Sequence, residues 1–194
     1  MSHVVEIQLN SQLADVCDQF RDNSLQILKL ADDLHHHQLN LRIESDRWSI
    51  AEAIVHLTLF SEVFISEIRL ACFNARQKEM YDGGPYKMDF VGRLLKYALE
   101  PPSKWTAITP HEFEPLVVEP LEKVIPTFNK LQSELIESVI ASAGLDLNRI
   151  KITSPVSKHV RYNLYSCFQI IAAHQRRHVR QAAQSKSLLL LNQR

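Results

Sequence analysis

The stretch "RWSIAEAIVHLTLFSEVFISEIRLAC", residues 47 to 72, decides the fold. Ser49 and Glu52 stand in the S-x-x-E spacing of a capping box, in which each side chain satisfies a backbone donor left free at a helix start. Ile54, Leu57, Phe64, Ile65, Ile68 and Cys72 then recur at three- and four-residue intervals, the signature of one apolar face on a helix running to about Arg76.

Three further runs carry the same period. Leu13, Val16, Cys17, Phe20, Ile27, Leu28, Ala31 and Leu34 predict a helix from about Ser11 to about His37. Leu121, Val124, Ile125, Phe128, Leu131, Leu135 and Val139 predict another. It opens at Pro120, whose missing N–H has no partner in a first turn, and stops near Gly144. Pro126 is expected to kink its first turns or to move its start later. Leu164, Cys167, Phe168, Ile171, Ala172 and Val179 predict the last helix, from near Asn163 to Ser185 or beyond.

Between the second and third of these helices, residues 78 to 120 hold six of the eight prolines and three of the four glycines. A short helix fits Phe90 to Leu99 and the rest reads as loop, far longer than a tight helix–helix turn. A bundle needs such a crossover where consecutive helices do not run antiparallel. The connection 145–162 contains "KITSPVSKHVRYN", whose Ile, Thr and Val predict an extended piece. The expected fold is all-α: a four-helix bundle, with residues 1–194 forming one domain.

Composition narrows the function classes. Lys plus Arg and Asp plus Glu number 22 each, so no basic excess serves a nucleic-acid backbone or an anionic membrane. No apolar run approaches the roughly 20 residues of a membrane helix, and "MSHVVEIQLN" lacks the order of a signal peptide. Cys17, Cys72 and Cys167 are odd in number and far apart, which reads as reduced thiols of a cytoplasmic protein.

The histidines carry the chemistry. In "AAHQRRHVRQ", residues 172 to 181, His174 and His178 stand four apart. On a helix they share a face one turn apart, within reach of one ion, and Cys167 and Ile171 continue that face into the bundle. With nine histidines, random placement supplies roughly 0.4 such pairs, so spacing alone leaves two readings open. Two inward imidazoles bind a metal, or they hydrogen-bond to carboxylates around a wet groove. His56 lies amid apolar neighbours beside the stripe of Ala53, Leu57 and Phe60. It would complete a three-histidine set with open positions, a catalytic rather than a closed structural pattern. Against this, a lone histidine within a helix is more often a satisfied core residue. Consecutive His35, His36 and His37 point about 100° apart on a helix and read as a solvated last turn. His3, His111 and His159 fall in loops or at the terminus.

"RWSIAEAIVHL" (47–57) resembles the W-S-x-x-E-x-x-x-H-L opening of the second helix in the DinB/YfiT-like superfamily of metalloenzymes. "FQIIAAHQRRHVRQ" (168–181) resembles its closing H-x-x-R-H-x-x-Q helix. "ITPHEFEPL" (108–116) is similar to its T-P-x-x-F-x-P loop, and "ITSPVSKHVRYN" (152–163) to its S-P connection. The pieces occur in order over about residues 12 to 185.

The resemblance implies an up-up-down-down bundle and a divalent metal, zinc or nickel before others, held by His56, His174 and His178. Arg177 and Gln181 match motif positions behind the ligands, although Arg177 equally suits a helix–helix ion pair. Glu52 is accounted for by its capping box and Trp48 by packing at the helix start. Relatives include transferases that use a low-molecular-weight thiol such as bacillithiol or mycothiol, a maleylpyruvate isomerase, and hydrolases. The resemblance therefore implies a small-molecule substrate and often a homodimer. The alternative is a non-catalytic metal-containing binding or stress-response module. A DNA-binding role finds no support in a neutral chain without a basic recognition helix.

Overall fold

The computed structural model describes residues 9–32, 34–45, 47–102, 111–115 and 121–191. Among these are α1 (Ser11–Asp32), α2 (His36–Leu39), α3 (Ile50–Gln77), α4 (Phe90–Leu99), a 3₁₀ turn (His111–Phe113), α5 (Leu121–Ala141), the strands β1 (Lys151–Ser154) and β2 (Ser157–Asn163), and α6 (Leu164–Leu191). The capping box forms as its spacing requires: Glu52 N–H donates to Ser49 Oγ at 3.1 Å, and Ser49 N–H to Glu52 Oε2 at 2.8 Å. Gly144 ends the third long helix at φ +79°, a backbone region that glycine enters without a Cβ penalty.

Several boundaries differ from expectation. The first helix does not reach His37. It ends at Asp32, and a separate turn, α2, begins after His35, whose N–H is taken by the Gln38 side chain at 2.8 Å. A local side-chain acceptor competes there with continuation of the helix. α5 runs unbroken through Pro126 from Leu121, so the proline does not delay the start; Pro120 and residues 108–110 lie outside the described residues. The extended piece is a two-stranded antiparallel hairpin pairing Ile152 with Tyr162, so the fold is mostly helical rather than purely α. His111 opens the 3₁₀ turn and His159 lies on β2.

The core forms two apolar clusters along the bundle. The first gathers Leu13 to Phe20 of α1, Phe60 to Ala75 of α3, Leu135 and Val139 of α5, and Leu164 to Ala172 of α6. The second gathers Ile27 and Ala31, Ile50 to Leu57, Val124 and Phe128, and Val179 and Ala182 of the same four helices. Passing from the first cluster to the second, residue numbers rise along α1 and α6 and fall along α3 and α5. Cross-helix bonds agree. Arg176 meets Gln19, and Lys186 meets the Leu30 carbonyl. Ser61, Arg69 and Arg76 meet Gln132, Glu134 and Ala141 in rising order. The four long helices thus run up-down-down-up, correcting the expected up-up-down-down order. One long crossover, from α3 to the parallel α5, suffices.

The crossover is fastened by Asp89, the N-cap of α4. Its Oδ1 accepts from Gly92 N–H at 2.9 Å, and its Oδ2 accepts from Asn163 N–H and Lys151 Nζ, each at 2.7 Å. Gly92 lets α4 lie directly on α6, since a Cβ there would fall 2.2 Å from both Ser166 Cβ and Oγ. Gly92→Ala is therefore expected to destabilise the protein by about 1–3 kcal/mol through overpacking, despite alanine's better helix propensity. Urea unfolding of the two proteins measures the loss, and equal midpoints would refute it.

Candidate metal centre

The three histidines singled out from sequence meet in the bundle interior. His56, on the second turn of α3, and His174 and His178, one turn apart on α6, have exposures of only 4%, 7% and 6%. His174 Nε2 lies 3.1 Å from His56 Nε2 and 3.1 Å from His178 Nε2. One nitrogen from each ring lies within 4.8 Å of the other two. Helical spacing brings the α6 pair together, and the antiparallel run of α3 against α6 delivers the third.

The tautomer of His56 follows from its partner. Its Nδ1 lies 2.7 Å from the Phe113 carbonyl, which can only accept. Nδ1 therefore carries the proton, and the neutral ring presents a bare lone pair at Nε2. This is how a metal-ligating histidine is usually oriented from behind. His174 Nδ1 and His178 Nδ1 are buried with no hydrogen-bond partner. No distribution of protons satisfies all the ring nitrogens, because His174 Nε2 has at most one hydrogen to share between two neighbours.

A cation held by the three Nε2 atoms would resolve the conflict there. Tetrahedral ligation at about 2.0–2.1 Å sets ligand nitrogens about 3.3 Å apart, close to the two 3.1 Å separations found. The donor set fits a divalent ion. Burial lowers the pKa of all three rings. At His174 the neighbouring His178, His56 and Arg177 add to the shift, and at His178 His56 and Arg177 do, carrying both well below the ordinary value; Gln181 opposes it at His178 and the Phe113 carbonyl opposes it at His56. The rings are held neutral, the form that ligates.

Aromatic walls enclose the cluster. Trp48 stacks on His178 (5.7 Å between ring centroids, 17° between planes) and tilts against His56 at 4.7 Å, while Phe60 stacks on His174 at 3.9 Å. Trp48 also anchors the start of α3, its carbonyl accepting from Ser185 Oγ at 3.2 Å. Sequence reasoning assigned Trp48 only that packing role, and it missed Phe60 as a ring wall. The Phe113 carbonyl was invisible to it, because a backbone acceptor leaves no mark on residue type beyond the loop motif containing it.

The remaining candidates do not converge. Glu52 is occupied: Arg42 Nη2 reaches its Oε1 at 2.6 Å and Arg42 Nε its Oε2 at 2.8 Å. Burial alone would raise that carboxyl's pKa, but the bonds from Arg42 and Ser49 outweigh it and hold the group below the usual range. His35, His36 and His37 are exposed, as are His111 and His159; His3 lies outside the described residues. Cys17, Cys72 and Cys167 are buried and free. Burial raises each thiol's pKa, to about 11 for Cys72, so none supplies a thiolate near neutral pH. Among the described residues no helix is long and apolar enough to cross a membrane.

Fold and centre together define a class: helical bundles with a buried three-histidine cluster, spanning two helices, that can hold one metal ion. The chain belongs to the DinB superfamily, whose family model matches residues 19–182, a span that includes all three histidines. No curated protein and no solved structure matches it.

Proposed function

We propose that this chain is a metal-dependent enzyme acting on a small molecule, either transferring a low-molecular-weight thiol to an electrophile or hydrolysing its substrate. The observation that carries this reading is the convergence of three buried, neutral Nε2 atoms with no fourth protein ligand among the described residues. His56, His174 and His178 would hold the ion, zinc or nickel being the first expectation since imidazole suits both. When bound, a divalent ion with an open position supplies a Lewis acid that lowers the proton affinity of a thiol or water. The chain's own residues orient and insulate. The Phe113 carbonyl fixes the His56 tautomer, and the Trp48 and Phe60 rings cover one face each of His178 and His174. A cytoplasmic location and a homodimer belong to the same reading.

A second reading has its own observation. The nearest buried carboxylate in sequence, Glu52, is committed to Arg42 and unavailable as a general base. That favours a non-catalytic metal-containing binding or stress-response module. The deciding experiment begins with elemental analysis of protein purified without a His-tag or chelating resin, alongside His56→Ala. One ion per chain, lost in the variant, is expected. Metal-loaded protein is then screened with several cofactor thiols and electrophiles. Turnover that disappears with the metal supports the enzyme. Failure across the panel, with metal removal sharply lowering thermal stability, supports the module.

A further inference from the structure

Between the two apolar clusters lies a polar layer, of which the histidines are only half. Asn23 of α1 donates from Nδ2 to the Ala172 carbonyl at 3.1 Å and to Gln175 Oε1 of α6 at 3.4 Å. Gln175 Nε2 donates to Gln132 Oε1 of α5 at 2.8 Å, and Gln132 Nε2 to Ser61 Oγ of α3 at 3.3 Å. One hydrogen-bonded chain therefore visits all four long helices, through side chains no more than 4% exposed. Gln175 directly follows His174, and Ser61 directly follows Phe60, the ring stacked on His174.

We propose that this amide chain is a positioning brace for the three-histidine centre, setting the rotation of α6 against α3 so that the Nε2 atoms meet. It rests on the metal-binding reading above. A histidine Nε2 sits about 7 Å from its helix axis, so a rotation of about 10° displaces it by about 1 Å. Metal ligation tolerates only about 0.2 Å. Apolar packing is non-directional and accepts volume-conserving rearrangement, so it leaves rotation loosely defined on that scale. Buried amides are directional, and a rotation that unpairs them strands polar groups away from water. The brace joins the ligand-bearing helices through α5, on which none of the three histidines lies.

The test replaces both glutamines by their near-isostere, Gln132→Met/Gln175→Met, which conserves volume and removes the bonds. Zn²⁺ titration of this variant is expected to show an affinity about ten- to a hundredfold weaker than wild type, the size of effect that outer partners of ligating histidines have. Metal-free melting temperature and helix content should change little, which a merely structural role does not predict. In metal-free protein, nuclear Overhauser contacts between the His174 and Phe60 rings should weaken. A folded variant with wild-type affinity and wild-type ring contacts overturns the brace. Should the double variant not fold, Ser61→Ala removes only the last link, and unchanged affinity and ring contacts there overturn it equally. If wild type itself binds no Zn²⁺, the metal reading fails, and the ring contacts still decide the brace.

Discussion

His174→Ala is expected to abolish metal binding rather than weaken it. Its Nε2 is the central atom of the cluster, 3.1 Å from each of the other two. Removing it leaves one donor on each of two helices and no ring bridging them. The consequence for stability is equally large. A ligand that binds only the folded state adds about 4 kcal/mol at a concentration of a thousand times its dissociation constant. Wild type should therefore melt well above its metal-free form in excess Zn²⁺, whereas His174→Ala should melt at one temperature with or without the ion. Calorimetric titration together with paired melts reads both effects. A variant that still holds one ion per chain would remove His174 from the site.

Acid should destabilise the metal-free protein steeply. The pKa values of His56, His174 and His178 are lowered in the folded state, first by burial. In the unfolded chain the same groups titrate near the ordinary value of about 6.5. As pH falls through that value the unfolded state takes up protons that the folded state refuses, so stability is full above it and is lost below. Each ring that stays neutral forfeits about 1.4 kcal/mol between pH 7.5 and 5.5, or up to about 4 kcal/mol for all three. Urea midpoints measured across that window should fall accordingly. His178→Gln, which cannot titrate, should flatten the slope by about a third. A flat profile in wild type would mean that the rings take up protons as readily in the fold as in the unfolded chain. Metal should be released over the same range, since protons and the ion compete for the same lone pairs.

How much of this was legible beforehand depends on the range of the interaction. The start of α3 was legible because Ser49 and Glu52 bond within a single turn, and α4 was read at its observed bounds, Phe90–Leu99. The end of α5 was legible because Gly144 adopts a backbone region that its residue type favours. The three histidines could be named because helical spacing pairs two of them and an ordered set of motifs supplies the third. Periodicity, however, states which face of a helix is buried and not which way its neighbour runs. The up-up-down-down order that the resemblance implied had no such local signal to check it, and it failed. So did the first helix beyond Asp32, where Gln38 offers His35 N–H a competing acceptor.

The sequence by itself determined four amphipathic helices, a long crossover and an inward histidine pair on the last helix, because each follows from contacts a few residues apart or from residue type. His56 joined that pair through the ordered motifs of the resemblance. Only the tertiary structure decided the helix directions, the 3.1 Å convergence of the Nε2 atoms, the proton on His56 Nδ1, and the amide chain from Asn23 to Ser61. Each of these joins groups distant along the chain. Their partners are set by how whole helices pack, and a side chain's own neighbourhood carries no record of that.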